Sequence, residues 1–280
     1  MTRTIETISG IRAFVAACRQ KGKTVGFVPT MGAFHEGHLS LMREARRRNG
    51  AVIVSIFVNP LQFSAGEDFD RYPRRIDQDT RLIASEGVDV LFAPSVAEMY
   101  PKGFDSYVDQ TDLPSKLCGQ FRPGHFRGVM TIVTKLFNIV KPDDAYFGQK
   151  DYQQYLIIRR TVTDLNLDVT VRMMPTVREE DGLAMSSRNV YLGPKQRKDA
   201  TCLSRALHRA EEMVAGGESS AARVAAEMKR LIHRVKGTRV EYVEIVNSET
   251  LEPVKEIKGR TLIALAVRIG KARLIDNALV

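Results

Sequence analysis

The sequence is poor in the features that announce a specialised class. Its three cysteines, Cys18, Cys118 and Cys202, are scattered, odd in number and never in CxxC spacing. That argues against a disulfide framework or a zinc knuckle and for reduced thiols in a cytosolic compartment. No apolar run approaches the length needed to cross a bilayer, and the opening residues MTRTIETISG lack the apolar core of a signal peptide. A cytoplasmic protein with no membrane contact is therefore expected. There is no internal repeat and no low-complexity linker. What is present is an ordinary globular balance, 44% hydrophobic and 27% charged residues. The 280 residues suffice for one large domain or two modest ones.

Negative charge is in short supply, leaving a net charge of +9. That balance raises nucleic acid as a partner. The positive residues are dispersed, however, and the densest run, Arg43 to Arg48, falls where a helix should end and cations complement its dipole. A surplus of Lys and Arg equally suits small anionic substrates. No nucleic-acid partner is expected.

Apolar runs alternate with helical stripes over the first 178 residues. Helices are expected at 11–20, 38–48, 75–86, 126–140 (amphipathic) and 151–165. Strands are expected in TVGFVPT, AVIVSIFV, VDVLFAP, KPDDAYFG and DVTVRMMPTV. AVIVSIFV is nearly continuous and β-branched, the mark of a strand covered on both faces of a parallel sheet. Such alternation predicts an α/β doubly wound domain over 1–178. From 179 to 280 the pattern changes. REEDGLAMSSRN reads as a loop, residues 195–235 as two helices separated by AGGESS, and the remainder as strands with turns, making a smaller α+β domain.

Several stretches carry candidate chemistry. PTMGAFHEGH places His35 and His38 between a strand and its following helix, beside Gly32 and Gly37. Ligands of doubly wound sheets bind at strand carboxyl ends, and a helix N-terminus offers amides to phosphate. The two histidines are three residues apart, not four as in HExxH, and no third ligand is near, which weakens a metal reading. Capping, packing and phosphate binding all remain open for this segment. FVNPLQF puts Asn59 and Gln62, uncharged and polar, at a second strand end, although Asn-Pro is also an ordinary turn. FGQKDYQQ offers Gly148 for close approach and Lys150 for phosphate, with Asp151 as ligand or N-cap. The MSSRN loop supplies hydroxyls and an arginine suited to phosphate oxygens, or is simply a Ser-rich turn.

Together PTMGAFHEGH, SIFVNPLQF, RYPR, FAPSVAEMYP, RPGHFRGV, FGQKDYQQ and DGLAMSSRN resemble, in order, the pantoate–β-alanine ligase (pantothenate synthetase) family, within the HxGH nucleotidyltransferases. The resemblance implies a Rossmann-like catalytic domain, a C-terminal lid, and a homodimer. It implies ligation of (R)-pantoate and β-alanine through a pantoyl adenylate, releasing AMP and diphosphate, with Mg²⁺ accompanying ATP and no protein ligand of the metal assigned. Carried onto this chain, Met31, Gly32, Ala33, Phe34, His35, Glu36, Gly37 and His38 would line the ATP site, with His38 as proton donor and His35 on phosphate. Gly148, Gln149, Lys150 and Asp151 would bind nucleotide, Lys150 at phosphate and Asp151 at ribose. Val177 would meet adenine, and Met185, Ser186, Ser187 and Arg188 would close over the triphosphate. Gln62 and Gln154 would hold pantoate, and Gln62 would also touch β-alanine. The sequence has Leu183-Ala184 where a related KMSKS motif has its first lysine, so charge neutralisation would fall on Lys150 and Arg188. Phe34 stands where leucine is common in the family, a packing change. Another HxGH nucleotidyltransferase with a phosphorylated acceptor, and a nucleic-acid binder, are the competing readings.

Overall fold

The expected alternation is present in the computed structural model, which describes residues 2–64 and 66–280. The first part of the chain runs β1 (Arg3–Ile5), α1 (Ile8–Gln20), β2 (Val25–Thr30), α2 (Glu36–Arg48), β3 (Ala51–Ile56), α3 (Ile76–Ser85), β4 (Val90–Phe92), α4 (Val96–Met99), α5 (Cys118–Phe121), α6 (His125–Val140), β5 (Asp144–Gly148), α7 (Tyr152–Asp164) and β6 (Thr170–Met174). Its six strands form one parallel sheet in the order β1-β4-β3-β2-β5-β6. β3 lies inside this sheet, and Ala51 to Ser55 are all buried, as its unbroken apolar run requires. The chain winds outward from β2 through β3 and β4, then returns to β2's other side with β5. A crevice therefore opens beyond the carboxyl ends of β2 and β5, the switch point where such sheets bind ligands.

Two sequence expectations change here. The sequence predicts an amphipathic α6, and its exposed or half-exposed residues Arg127, Lys135 and Asn138 do share one side, but burial reaches well beyond the apolar face. The helix packs on the sheet and against α1 and α7, and the segments around residues 60–62 and 108–117 cover part of its outer side. The short edge strand β1, which has no periodic signal, pairs with β4.

The remainder runs α8 (Pro194–Asp199), α9 (Cys202–Ala215), α10 (Ala221–His233), β7 (Thr238–Asn247), β8 (Thr261–Ile269) and β9 (Ala272–Leu279). Three helices thus replace the two expected over 195–235, because Pro194 opens a separate short one. β7, β8 and β9 form an antiparallel sheet in that order. β8 is buried on both faces. Ile263, Leu265 and Val267 pack against α9 and α10, whereas Leu262, Ala264 and Ala266 join the core beneath the parallel sheet. The basic run of α2 is engaged in ion pairs, Arg43 with Glu36 and Glu86, Arg46 with Asp89, and Arg47 and Arg48 with Glu44.

Candidate active site

The turn after β2 is held by a carboxylate from another element. Gly32 (φ 83°) and Ala33 (φ 54°) are successive left-handed residues, which aims two amides the same way. The Ala33 and Phe34 N–H groups donate to the two oxygens of Asp79 on α3, at 2.8 and 2.9 Å. Asp79 is only 2% exposed, and burial raises its carboxyl above the usual range against those two hydrogen bonds.

This turn delivers His35 as the N-cap of α2, its Nδ1 accepting from Gly37 N–H at 3.2 Å. Gly37 is glycine for a local reason, since a Cβ there would lie 3.0 Å from the His35 ring. The His38 Nδ1 accepts from His35 N–H at 3.4 Å, and the two rings lie against each other, tilted by 46°, with centroids 4.2 Å apart. Both Nδ1 atoms are acceptors, so in each neutral ring the proton resides on Nε2. Burial, reinforced by the nearby Lys150 charge, pushes His35 down to about 4; burial, His35 and Lys150 push His38 well below its ordinary value. The capping reading of the motif is thus correct for His35 and leaves both Nε2–H groups as neutral donors. A phosphate does not compete with the cap.

The facing wall comes from the end of β5. Gly148 leads into a 3₁₀ turn, Gln149–Asp151, that opens α7. Asn277 of β9 donates from Nδ2 to the carbonyls of Gln149 and Lys150, at 2.9 and 3.0 Å. The Lys150 ammonium stands 3.5 Å from the Asp151 carboxylate. Asp151 occupies the N-cap position but makes no capping hydrogen bond, so the N-cap reading of this residue fails.

Gln62 follows β3. Asn59 is 1% exposed; its Oδ1 accepts from Tyr100 Oη at 2.8 Å, so its Nδ2 must donate, to Gln62 Oε1 at 3.0 Å and Gly128 O at 3.0 Å. That fixes the amide orientation of Gln62. Its Nε2 touches only the weak acceptor Met31 Sδ, at 3.1 Å, and keeps a donor for a ligand.

The MSSR segment is brought in by a tight hairpin. Met185 N–H donates to Val177 O at 3.0 Å, and Arg178 bridges to Ala184. Ser187 Oγ lies 3.2 Å from Tyr72 Oη. Arg188 is held by both oxygens of Asp68, each at 3.0 Å. Its charge is therefore already balanced by a partner that the sequence did not reveal.

Met31, His35, Gly37, His38, Gln62, Gly148, Lys150, Asp151, Gln154, Val177, Met185, Ser186, Ser187 and Arg188 line one cavity of about 220 Å³ at the switch point. Gly32, Ala33, Phe34, Glu36 and Gln149 do not line it. Ala33 and Phe34 spend their amides on Asp79, Phe34 is buried in the core beside Leu41 and Met42, Glu36 pairs with Arg43, and the Gln149 side chain turns to Asn277. A second cavity of about 350 Å³, lined on one side by β7 to β9 and on the other by residues 150–154 and 183–191, shares Lys150, Asp151, Gln154, Ser186 and Arg188. Sequence reasoning missed Asp79, Asp68 and Tyr72. Asp79 had a faint signal: a carboxylate four residues before Ile83, on the apolar side of α3. Among the described residues, no three His, Cys, Asp or Glu side chains converge to hold a metal ion, and no helix is long and apolar enough to cross a membrane.

Residues 3–279 match the family profile described as pantoate-β-alanine ligase. The chain is 55% identical over 278 residues to a pantothenate synthetase of Acetivibrio thermocellus, covering 99% of each protein. The solved structure of pantothenate synthetase from Thermus thermophilus matches with a TM-score of 0.95 at 48% identity, over 99% of both chains. A pantoate-β-alanine ligase from Francisella tularensis, complexed with Beta-gamma ATP and β-alanine, matches with a TM-score of 0.83 at 35% identity, over 100% of this chain and 98% of that one.

Proposed function

The chain belongs to the pantoate–β-alanine ligase family and joins pantoate to β-alanine in an ATP-dependent reaction; from that premise we infer that it does so through a pantoyl adenylate made in the cavity at the switch point. The observation that carries this reading is the meeting, in one cavity, of neutral imidazole donors and Lys150 with the two glutamines Gln62 and Gln154. The pantoate carboxylate attacks the α-phosphorus of ATP and diphosphate leaves. The β-alanine amine then attacks the acyl carbon, the acyl–phosphate bond breaks, and AMP leaves. ATP itself supplies the activation, so no protein nucleophile is needed, and the protein's work is positioning and charge stabilisation.

Each side chain has a part that follows from its surroundings. The Nε2–H groups of His38 and His35 donate to phosphate oxygens as charge builds at the pentacovalent centre, and Lys150 neutralises phosphate. Both rings enter the reaction neutral, donating through Nε2–H, and the proton-donor role that the resemblance implies falls to His38. Gln62 offers Nε2–H to pantoate beside Gln154, and the same group meets β-alanine in the second step. Gly148 leaves room for the nucleotide, Asp151 takes the ribose, and Val177 borders adenine. Met185, Ser186, Ser187 and Arg188 close on the triphosphate, Arg188 exchanging Asp68 for phosphate. Mg²⁺ accompanying ATP would be held chiefly by phosphate and water oxygens and would supply charge neutralisation there, which fits a chain in which, among the described residues, no cluster of carboxylates converges to hold a metal. Residues 1–178 act as the catalytic domain and 179–280 as a lid that keeps water from the adenylate. The family resemblance carries over a homodimer, which the mass in solution checks, and the three buried free thiols suit a cytoplasmic setting.

The test is exchange of labelled diphosphate into ATP. Exchange that depends on pantoate and needs no β-alanine is expected. Pantothenate synthesis without such exchange would sink the adenylate.

A further inference from the structure

Gln62 is gripped from a second direction by a buried network outside the cavity's catalytic wall. His125, the first residue of α6, is 7% exposed, and its Nδ1 lies 2.8 Å from the carbonyl oxygen of Gln62. A carbonyl only accepts, so Nδ1 carries the proton. Nε2 is then an acceptor, and Arg122 Nη1 donates to it at 2.9 Å. The second Arg122 nitrogen, Nη2, reaches the same Gln62 carbonyl at 3.3 Å. Behind it stands Glu67, whose carboxylate takes Arg122 Nε and Nη2 at 2.7 and 2.6 Å. Burial, together with the Arg122 charge, pushes His125 down to about 3, which keeps it a neutral relay between arginine and carbonyl.

The same helix makes the close approach possible. A Cβ on Gly128 would lie 2.2 Å from Leu61 O and 2.6 Å from Gln62 N, so only glycine lets the 60–62 turn rest on α6. The Gly128 carbonyl in turn accepts from Asn59 Nδ2. The stretch RPGHFRG thus clamps the turn through Arg122, His125 and Gly128. Asn59 orients the side-chain amide of Gln62, and His125 and Arg122 hold its backbone.

We propose that His125, backed by Arg122 and Glu67, is a positioning residue for the acid substrate, holding the backbone of Gln62 so that its Nε2–H points into the cavity. The proposal rests on the reading that Gln62 holds pantoate. Two donors converge on one carbonyl, a stronger hold than a turn needs merely to close. A shift of the Gln62 backbone by about an ångström would misaim the amide and weaken the acid's binding, leaving the ATP wall formed by His38, Lys150 and Ser186 untouched.

The experiment compares His125→Asn, His125→Gln and His125→Ala with the parent enzyme, varying pantoate and ATP separately. The Asn amide nitrogen stands where Nδ1 stands and still donates to the Gln62 carbonyl, whereas the Gln amide is displaced toward Nε2. His125→Asn is expected to keep the pantoate KM within about threefold, and His125→Gln and His125→Ala to raise it about tenfold, as loss of one buried hydrogen bond implies. The ATP KM should stay within about twofold in all three. An unchanged pantoate KM in a folded His125→Ala protein, equal rises for both substrates, or equal impairment of the Asn and Gln variants overturns the proposal. Should the alanine protein not fold, the Asn–Gln contrast decides, with Glu67→Gln, which loosens Arg122 without opening a cavity, expected to raise the pantoate KM about threefold. Gln62→Ala separates the premise: an unchanged pantoate KM there removes the role of Gln62, whatever His125 does.

Discussion

Burial, more than any charge in the molecule, decides what the two histidines can do. An imidazole in water takes up its proton near 6.5, but the native His35 does so only near 4. Between those values the unfolded chain binds more protons than the folded one, so stability falls as the pH drops through that window. Denaturant midpoints at about pH 7 and about pH 4.5 should show this loss in the parent protein and a smaller loss in His35→Gln. An equal loss in both would show that His35 does not bury a neutral ring. In the same neutral form both Nδ1 atoms accept locally and each Nε2 keeps its proton to donate. Replacing His38 by Ala removes one preorganised donor, and pantoate-dependent diphosphate exchange should fall about a hundredfold with the melting temperature little changed. Near-parental exchange in that variant would deny His38 its place.

At the element scale, groups that line the switch-point cavity are aimed by parts of the chain far from them in sequence. The β2–α2 turn is left-handed at Gly32 and Ala33, and Asp79 of α3 takes the amides of Ala33 and Phe34 while Thr30 Oγ1 takes that of Gly32. Asp79→Ala strands two buried N–H groups, each worth about 1–3 kcal/mol, and should lower the denaturant midpoint and the exchange rate together. Asp79→Asn keeps one accepting oxygen and should fall between the parent and the alanine variant. If Asp79→Ala proves as stable as the parent, the turn holds itself and the carboxylate is incidental. The strand and helix around this turn are readable from apolar spacing alone, because burial imposes its period on the sequence. Asp79 is not, because a hydrogen bond between residues so far apart along the chain leaves no periodic trace.

The small sheet supports the cavity wall that follows β5. β8 is buried on both faces, one against each core, and β9 places Asn277 under the backbone of Gln149 and Lys150. Beside it Asp276, with a side chain 1% exposed, is neutralised by Arg178, at 2.6 and 3.1 Å. Arg178→Ala leaves that carboxylate buried and unpaired, and the cost should lie at the low end of about 3–5 kcal/mol, because the arginine keeps partial solvent contact. Chemical denaturation reads it; a change under about 0.5 kcal/mol would mean that water reaches Asp276. Asn277→Ala loosens the Lys150 turn, so the ATP KM should rise more than the pantoate KM.

Residue order alone was enough for the alternation of strands and helices, the doubly wound sheet, and the placing of His35, His38, Gln62 and Lys150 at strand ends, since these follow from short-range periodicity and local turn chemistry. Which of those groups face the cavity was settled by packing in three dimensions. Phe34, Glu36 and Gln149 sit in the right motifs but turn away from it, while Asp79, Asp68 and His125 aim their neighbours from elsewhere in the chain. Packing also buried the helix 125–140 everywhere but along Arg127, Lys135 and Asn138, because what covers the rest of its polar side comes from distant segments. The reason is common to all of these: a buried polar group must find a partner, and that partner is chosen by proximity in space, which the order of residues does not record.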